Sequence, residues 1–349
     1  MVKKPFIKID NIKIGENFEP LIIPEIGINH NGDLNTAFKM VDAAKRAGAK
    51  IIKHQTHIPD DEMSEEAKKI TPGNSKKNIY NIIEDCSLSF EKEYKLTQYC
   101  KKKKIIFIST PFSFKAVDRL VKFNVPIFKI GSGEIFNFPL LDYISKFKKK
   151  LIISSGMASI EQLKNTVSFL KKRNVDFAIL HTTNLYPTPD NLIRLGSITQ
   201  LRQKFKNNII GLSDHSSSNY SCFGAVALGA SIIEKHFTDT FKRSGPDISC
   251  SVDEIGLKEL IKGCNIISKQ RFGDKNLLKE EQVTRNFAYV SVVSRRKIEI
   301  NEILSLKNIT VRRPGTGYFG AAEFKNLLGK KVRSIIKKNT QIKKRDLFK

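Results

Sequence analysis

Residues 209–236 decide the fold, because they hold two apolar runs, Ile209-Ile210-Gly211-Leu212-Ser213-Asp214-His215 and Ser231-Ile232-Ile233-Glu234-Lys235-His236. A helix-like stretch, 219–228, separates them. Two such runs joined by one helix predict neighbouring parallel strands, about 4.8 Å apart. The strand ends would then bring His215 and His236 together. A lone histidine beside a strand is more often a core side chain, but a matched pair favours a shared divalent metal ion.

The same strand-then-helix pattern repeats through most of the chain. The apolar runs that predict strands are 21–28, 49–55, 105–110, 127–131, 151–155, 177–181, 209–213 and 231–236. Amphipathic stretches follow them, as at 34–47 and 160–173. Eight repeats predict an α/β fold of the closed (β/α)8 TIM-barrel type. An open doubly wound sheet is the alternative, but it would more often show a glycine-rich first turn, which this chain lacks.

The pattern changes near 275–285, where the composition becomes charged and the helical periodicity ends. We therefore expect a barrel domain at 1–274, a linker at 275–285 and a small domain at 286–349. Short β-like segments at 287–293 and 308–311 mark the small domain. About 65 residues cannot build a large core, so this domain is expected to dock on its own barrel or on a partner's.

Three further segments lie outside the repeats. Residues 5–20 predict a hairpin that closes the bottom of the barrel. Residues 57–90 contain Pro72-Gly73-Asn74-Ser75 and predict a loop with a small helix, and residues 238–252 predict a second long loop. Long loops at the carboxyl ends of barrel strands usually carry substrate contacts.

Composition limits the class of protein. The chain has 349 residues, 40% of them apolar, and neither a membrane-length apolar run nor a secretion signal is expected at its start. Its five cysteines show no CxxC spacing, which favours reduced thiols and a cytoplasmic location. The net charge of +26 would suit nucleic acid, but the lysines are spread along the chain without a nucleic-acid-binding signature. Solvated faces that attract a small anionic substrate are the favoured interpretation.

Charged residues interrupt the predicted strands on the side that faces the barrel interior. Lys53 shares its parity with Gln55, Glu234 shares its parity with His236, and Lys129 interrupts another apolar run. A buried charge costs several kcal/mol unless it is paired or binds a ligand. One alternative is therefore an internal ion pair, in which Lys53 or Lys129 joins a glutamate. The candidate glutamates are Glu25, Glu134 and Glu234.

The other alternative is a cage of donors for an anionic ligand. Lysines and hydroxyls at several strand ends suit a phosphate together with a carboxylate. The residues of this cage are Lys53, Lys129, Thr110, Ser132, Ser154 and Ser213. Beside it, His215 and His236 would leave coordination positions open for Mn²⁺ or Mg²⁺ completed by oxygen ligands. Asp214 has the opposite parity to His215 and is expected to orient the site from outside.

Six motifs occur in the order that one family shows. They are Glu25-Ile26-Gly27-Ile28-Asn29-His30-Asn31-Gly32, Lys53-His54-Gln55-Thr56, Ser109-Thr110-Pro111-Phe112, Lys129-Ile130-Gly131-Ser132-Gly133-Glu134, Ser213-Asp214-His215 and Gly245-Pro246-Asp247. Together they resemble the sialic acid synthases (N-acetylneuraminate synthases), almost end to end. The tail around Arg313-Pro314-Gly315-Thr316-Gly317 resembles the antifreeze-like (SAF) domain of that family.

That resemblance implies a domain-swapped homodimer that condenses phosphoenolpyruvate with N-acetylmannosamine to give N-acetylneuraminate and phosphate. It implies that a metal ion on His215 and His236 polarises the sugar aldehyde. Neither nucleic acid nor membrane is an expected partner. A sister synthase that makes legionaminate or pseudaminate from another N-acetylated sugar is the alternative. A non-catalytic carbohydrate-binding protein is a third hypothesis, which the inward lysines and histidines disfavour.

The resemblance also assigns residues. Those that resemble phosphoenolpyruvate contacts are Lys53, Thr110, Lys129, Ser132, Ser154, Asn184 and Ser213. Those expected at the sugar are Gln55, Tyr186, Asp247 and, from the other subunit, Arg313, with Arg312 as a competing choice. Glu25, Glu134 and Glu234 are the candidates for proton transfer or substrate orientation, beside the catalytic metal ligands His215 and His236. Ile135-Phe136 departs from the smaller or polar residues usual after Glu134, whereas 181–189 resembles the N-acetylneuraminate type.

Overall fold

The computed structural model describes residues 4–72 and 76–348 of the chain. The chain divides into two compact units, Met1–Phe272 and Gly273–Lys349. Residues 73–75, within the loop predicted at 57–90, lie outside the described residues. Across the described ranges, no helix has both the length and the apolar character needed to cross a bilayer.

The first unit is a closed barrel of eight parallel strands, preceded by a hairpin. The hairpin strands are β1 (Phe6–Ile9) and β2 (Ile12–Gly15), which pair antiparallel. The barrel strands are β3 (Leu21–Gly27), β4 (Ile51–Thr56), β5 (Ile106–Pro111), β6 (Ile127–Ile130), β7 (Lys150–Ser154), β8 (Phe177–Thr182), β9 (Ile209–Asp214) and β10 (Ile232–His236). β10 pairs with β3 and closes the ring. The predicted (β/α)8 barrel is confirmed, and each predicted strand limit differs from the observed one by at most two residues.

In the described residues of the first unit, ten α-helices follow or lie between the strands. They are α1 (Leu34–Arg46), α2 (Pro59–Glu62), α3 (Ile79–Cys86), α4 (Phe90–Lys102), α5 (Phe114–Lys122), α6 (Phe138–Ser145), α7 (Ile160–Lys172), α8 (Gly196–Lys204), α9 (Tyr220–Ala227) and α10 (Glu254–Gln270). Side-chain caps start several of them. Asp33 accepts hydrogen bonds from the first turn of α1, and Ser159 forms a capping box with Gln162 at the start of α7.

Side chains along each strand point alternately outward and inward, so the unit has an outer apolar core and an inner one. Residues of one parity, such as Ile52 and Ile153, pack outward against the helices. Residues of the other parity, such as Ile23, Ile51 and Ile152, fill the barrel interior near the amino ends of the strands. The interior is tight at Gly211, where a Cβ atom would lie 2.4 Å from the backbone oxygen of Ile232. Only glycine fits there.

The hairpin seals the interior from below. Ile7, Ile9 and Ile14 are buried in the same cluster as the inward side chains of the strands. This agrees with the expected role of residues 5–20. The inward-facing polar side chains therefore lie at the opposite end of the barrel, and the apolar layer that the hairpin closes lies beneath them.

The two long loops contain more structure than the sequence predicted. The segment between β4 and α4 holds α2, α3 and a 3-10 turn, Glu65–Lys69, where one small helix was expected. The segment after β10 holds a 3-10 turn, Ile248–Cys250. An isolated bridge between Phe237 and Val252 closes the base of this second loop.

The second unit is small and irregular. Its α-helices are α11 (Gln282–Ala288) and α12 (Phe324–Leu327), and its strands β11 (Ser291–Ser294) and β12 (Ile309–Arg312) pair antiparallel. The prediction of a strand from 287 was wrong at its start, because residues up to Ala288 complete a helix. A core of its own nevertheless forms, with Val292, Ile309 and Val332 among its buried members.

Candidate active site

Strand register brings the predicted polar residues to one mouth of the barrel. β10 pairs with β3 so that His236 lies beside Glu25, and β3 pairs with β4 so that Glu25 lies beside Lys53. On the other side of β10, Glu234 lies beside Ser213. All five side chains are buried. Rigid strands therefore position this part of the site, as precise chemistry requires.

Two lysines and two glutamates form a buried charge cluster. Nζ of Lys53 lies 2.5 Å from Oε1 of Glu25 and 3.7 Å from Oε1 of Glu234. Nζ of Lys129 lies 3.6 Å from the same oxygen of Glu234. The internal ion pairs considered from the sequence are thus formed. They leave Oε2 of Glu234 buried without a hydrogen bond, so pairing does not satisfy the cluster completely.

The cluster keeps Lys53 charged and makes Lys129 easier to deprotonate. Although burial opposes it, the positive charges of Lys53 and His236 hold the pKa of Glu25 well below its usual range. Against the same burial penalty, Glu234 and Glu25 raise the pKa of Lys53. Burial lowers the pKa of Lys129 to about 8, with Glu234 opposing the shift and Lys53 adding to it. One permanent and one titratable ammonium group therefore face the pocket.

Hydroxyl groups surround the two ammonium groups. Lys53 donates to Oγ1 of Thr110 at 3.3 Å, and Lys129 donates to Oγ of Ser154 at 2.6 Å. Oγ of Ser213 donates to Glu234 at 2.8 Å. The structure therefore brings these hydroxyls and ammonium groups together, and such donors suit an anion.

The cage continues to a glycine that has no room for a side chain. The backbone N–H of Gly156 donates to Oγ of Ser132 at 3.1 Å. A Cβ atom on Gly156 would lie 1.7 Å from Oδ1 of Asn184 and 2.7 Å from Oγ of Ser132. Oδ1 of Asn184 is itself buried without a hydrogen-bond partner. An unsatisfied buried oxygen at this point indicates a missing ligand or solvent group.

Hydrogen bonding prepares His215 to act as a ligand through Nε2. Its Nδ1 lies 2.8 Å from the backbone oxygen of Thr183, which can only accept, so Nδ1 carries the hydrogen. Burial lowers the pKa of His215 to about 3, and the nearby His236 adds to this effect. The ring is therefore neutral, and Nε2 keeps its lone pair. Tyr186 stacks on the ring with 4.2 Å between centroids.

The two histidines fit one divalent metal ion. The ring centroids of His215 and His236 lie 5.4 Å apart, with an angle of 46° between the ring planes. Two imidazoles that each place a nitrogen about 2.1 Å from one ion would have centroids about 5–6 Å apart. Nδ1 of His236 is buried and makes no hydrogen bond. A buried imidazole nitrogen that makes no hydrogen bond is the kind of donor that such an ion requires.

The remaining predicted site residues lie in three places, which are the same mouth, the turn after β6 and the second unit. Nε2 of Gln55 donates to Glu25 at 2.7 Å, and Oδ2 of Asp247 lies 3.5 Å from Nδ1 of His236. Glu134 is half-buried in the turn after β6 and accepts a hydrogen bond from Asn137 at 2.6 Å. Arg313 lies in the second unit, is exposed there, and donates to the backbone oxygen of Ala288.

Two residues that the sequence interpretation missed support Gln55: His57 contacts Gln55, and Glu62 contacts His57. Nε2 of His57 lies 3.1 Å from Oε1 of Gln55, and Nδ1 of His57 lies 2.8 Å from Glu62. Both partners offer an oxygen atom to the ring, so the ring is held between them. The ring also stacks on Phe112, with 4.3 Å between centroids. His57 shares the parity of Lys53 and Gln55, which was the available signal.

Asp214 supports the site from the outer face of the barrel, as its parity indicated. Its Oδ2 lies 2.5 Å from Nζ of Lys235, a side chain with 0% exposure. Lys235 also donates to the backbone oxygen of Ser216 and, at 3.1 Å, to that of Ser218. The pair therefore fixes the segment directly after His215.

Comparison with known proteins gives two matches to family models. Residues 40–276 match the NeuB family, and residues 289–347 match the SAF domain. The first match covers most of the barrel, and the second covers most of the small unit.

Individual relatives are similar over nearly the whole chain. The N,N'-diacetyllegionaminic acid synthase of Campylobacter jejuni is 37% identical over 320 residues, which are 89% of this chain and 95% of that protein. The human N-acetylneuraminate-9-phosphate synthase is 31% identical over 324 residues, 91% of this chain and 90% of that protein. A solved N-acetylneuraminic acid synthetase from Leptospira borgpetersenii, in complex with citrate, aligns with a TM-score of 0.74 and 32% identity. The alignment covers 80% of this chain and 95% of that one.

Proposed function

The chain belongs to the NeuB family, and we propose that it condenses phosphoenolpyruvate with an N-acetylated amino sugar to give a sialic-acid-type sugar acid and phosphate. N-acetylmannosamine is the proposed acceptor and N-acetylneuraminate the proposed product. The observation that carries this proposal is the meeting of two buried ammonium groups and two histidines at one mouth of the barrel. A neutral-sugar binder has no need of either pair.

Phosphoenolpyruvate is the proposed ligand of the lysine cage. Its carboxylate and phosphate carry the charge that Lys53 and Lys129 would complement, with the hydroxyls of Thr110, Ser154 and Ser213 completing the contacts. Ser132 and Asn184 lie on the far side, around Gly156.

The proposed reaction forms one carbon–carbon bond and one carbon–oxygen bond to water, and it breaks the carbon–oxygen bond to phosphate. Carbon 3 of phosphoenolpyruvate attacks the aldehyde carbon of the open-chain sugar, and water adds to the resulting cation at carbon 2. Phosphate then leaves with cleavage of its bond to carbon 2. Holding both substrates in one closed pocket supplies the orientation that this bimolecular step requires.

His215 and His236 are the proposed ligands of a divalent ion, Mn²⁺ or Mg²⁺. When bound, such an ion supplies Lewis-acid polarisation of the aldehyde oxygen. The protein's own groups do the rest. Glu25 stays ionised beside Lys53, Oε2 of Glu234 has no hydrogen-bond partner and is available to hold a proton, and Gln55 orients the sugar next to Glu25. Glu134 would contact the sugar from the turn after β6.

A second acceptor class is favoured by one specific observation. The Campylobacter jejuni relative that makes N,N'-diacetyllegionaminic acid is 37% identical, against 31% for the human N-acetylneuraminate-9-phosphate synthase. The acceptor of legionaminate carries a second acetamido group. This second acetamido group would lie near Phe136. Phe136 is 38% exposed and occupies a position where the family resemblance expects a smaller or polar residue.

One assay compares these acceptors. Phosphate release from phosphoenolpyruvate is measured with Mn²⁺ and, in parallel, with N-acetylmannosamine and with the diacetylated precursors of legionaminate and pseudaminate. We expect release only with acceptor and metal together, and the fastest release with N-acetylmannosamine. Product mass identifies the new acid. Faster turnover of a diacetylated sugar would move the assignment to that acid, and no product with any acceptor would reject the synthase.

The small unit is proposed to act on a second copy of the chain. Arg313 would reach the N-acetyl group of the sugar in the other subunit of a homodimer. Its exposed guanidinium, tied to its own unit through the backbone oxygen of Ala288, leaves donors free for such a contact. Arg312 is less suited, because it donates to Asn339 at 2.6 Å.

A further inference from the structure

A chain of buried polar contacts leads from the turn after β3 to the helices outside the barrel. Nε2 of His30 lies 3.1 Å from Nε2 of His54, and Nδ1 of His54 lies 3.3 Å from Oε1 of Glu93 in α4. Nη1 of Arg119 in α5 lies 3.0 Å from Oε2 of Glu93. His30, His54 and Glu93 are each at most 1% exposed. Since His54 has the opposite parity to Lys53, this histidine chain runs outside the barrel interior.

The direction of the contacts in the histidine chain follows from its first member. The backbone N–H of Gly32 donates to Nδ1 of His30 at 3.1 Å, so Nδ1 carries no hydrogen. Burial holds the pKa of His30 well below its usual range, so the neutral ring carries its hydrogen on Nε2. Nε2 of His54 must then accept, and the hydrogen of His54 lies on Nδ1. That nitrogen faces Oε1 of Glu93 and, at 3.5 Å, Oγ of Ser109.

The two residues beside His30 contact the loop after β10 instead. Oδ1 of Asn29, a side chain with 0% exposure, accepts a hydrogen bond from the backbone N–H of Asp247 at 3.3 Å. Nδ2 of Asn31 donates to the backbone oxygen of Ser244 at 2.8 Å. One short turn therefore contacts the histidine chain through its central residue and the loop that carries Asp247 through the residues on either side.

We propose that His30, held by His54 and Glu93, positions Asp247 for the sugar acceptor. Asp247 is a residue expected at the sugar, and its Oδ2 lies 3.5 Å from Nδ1 of His236. A misplacement of about 1 Å at a reacting site costs about a hundredfold in rate, so a distant anchor of this loop affects turnover. The effect on the sugar rests on the proposed synthase function, whereas the anchoring of the loop does not.

His30→Asn interrupts the histidine chain but keeps an acceptor for the backbone N–H of Gly32, because the asparagine oxygen takes the place of Nδ1. In the full chain without substrates, amide hydrogen exchange at residues 244–251 is expected to become at least about tenfold faster. The KM for the acceptor should rise at least about tenfold, while the calorimetric affinity for phosphoenolpyruvate should stay within about twofold. His181→Gln is the matched control, since His181 is a buried histidine that contacts the backbone oxygen of Ile193, and it should change none of these values.

Three results would overturn the proposal. They are unchanged exchange at 244–251, an unchanged acceptor KM despite faster exchange there, and a loss that affects the whole barrel and both substrates equally. The last result would show that His30 only stabilises the fold. Because hydrogen exchange needs no substrate, a chain that turns over no acceptor still tests the anchoring of the loop, and failure of the synthase assay is distinguishable from failure of this proposal.

A measurement on the wild-type protein covers a His30→Asn chain that does not fold. Nitrogen-15 NMR of the histidine-labelled protein near neutral pH is expected to show the hydrogen of His30 on Nε2 and that of His54 on Nδ1. A charged His30, or a hydrogen of His54 on Nε2, would remove the contact between the two rings as a link in the chain and would overturn the proposal.

Discussion

The Nζ atom of Lys53 lies 2.5 Å from Oε1 of Glu25, and both side chains are buried at the mouth of the barrel. The same oxygen of Glu25 accepts a hydrogen bond from Gln55. Charges held in this way compensate each other inside the protein. Removing either one leaves the other without a partner, which is costly in a dry interior.

Lys53→Met is therefore expected to lower both the stability of the barrel and its affinity for phosphoenolpyruvate. A double variant separates the two effects. The single variant should lose about 3–5 kcal/mol of stability, because Glu25 is left as an uncompensated anion. The double variant Lys53→Met/Glu25→Gln should recover much of that loss but still bind phosphoenolpyruvate weakly. Denaturant unfolding of the barrel and calorimetric titration with phosphoenolpyruvate measure the two effects. Wild-type affinity in the double variant would contradict the assignment of Lys53.

The pH dependence of anion binding is expected to follow Lys129. Burial lowers the pKa of Lys129 to about 8, so its charge is present at neutral pH and lost as the pH rises. Since kcat/KM reports groups of the free enzyme, kcat/KM for phosphoenolpyruvate should fall above about pH 8. The stability effect has the opposite sign. The unfolded chain keeps this proton to higher pH, so the unfavourable contribution of a charged Lys129 disappears as the pH rises past its folded pKa.

Lys129→Met supplies the comparison for that profile. The variant should bind phosphoenolpyruvate weakly at every pH and should lose the decline that begins near the pKa of Lys129. A wild-type affinity that stays constant between about pH 7 and pH 9 would show that Lys129 does not contact the anion.

Gly156→Ala is expected to disturb the cage without unfolding the barrel. The new Cβ atom would displace Asn184 and Ser132, so phosphoenolpyruvate should bind at least about tenfold more weakly, equivalent to about 1.4 kcal/mol. Gly196→Ala is the matched control, since nothing lies within 4 Å of a Cβ atom there. Equal affinities in the two variants would remove Asn184 and Ser132 from the anion site.

His215→Ala and His236→Ala are each expected to abolish metal-dependent turnover and to weaken Mn²⁺ binding, measured by electron paramagnetic resonance of the free ion. His181→Gln serves as the control, because His181 is a buried histidine that donates to the backbone oxygen of Ile193 and not to the mouth. Unchanged Mn²⁺ binding in both alanine variants would exclude this pair as the metal site.

Mixed dimers test the proposed role of Arg313. Chains with Arg313→Ala and chains with His215→Ala should each be nearly inactive. Unfolding and refolding them together should restore about a quarter of the wild-type activity, because half of the dimers are mixed and each has one intact site. No recovery, with mixed dimers confirmed by mass, would place Arg313 in its own subunit's site or outside any site.

The sequence predicted the barrel well because the physical signal was local. Strands such as β9 and β10 are short apolar runs between helices, and the parity of Lys53, Glu234 and His236 follows from strand geometry alone. Arg313 is different. It lies in the second compact unit, outside the barrel strands, so strand parity gives no information about its role.

Contacts made by loops could not be predicted in the same way. Periodicity gave no reason to bring Cys250 to His236, because a 3-10 turn closed by the bridge at Phe237 and Val252 sets that approach. The support that His57 and Glu62 give to Gln55 depends likewise on the short helix α2. The start of β11 was misjudged because 287–288 are apolar and aromatic enough for a strand but complete a helical turn.

The hairpin covers the end of the barrel where the strands begin, so in the described part of the chain the polar interior faces the opposite end. Lys53 and Lys129 lie buried inside the mouth at that end, while Tyr186, 38% exposed, stands near its rim. Under the proposed function, the two reactants that share this entrance would therefore bind in sequence, the deeper one first. A ligand bound at the rim would then block the dissociation of the ligand bound more deeply until the two react.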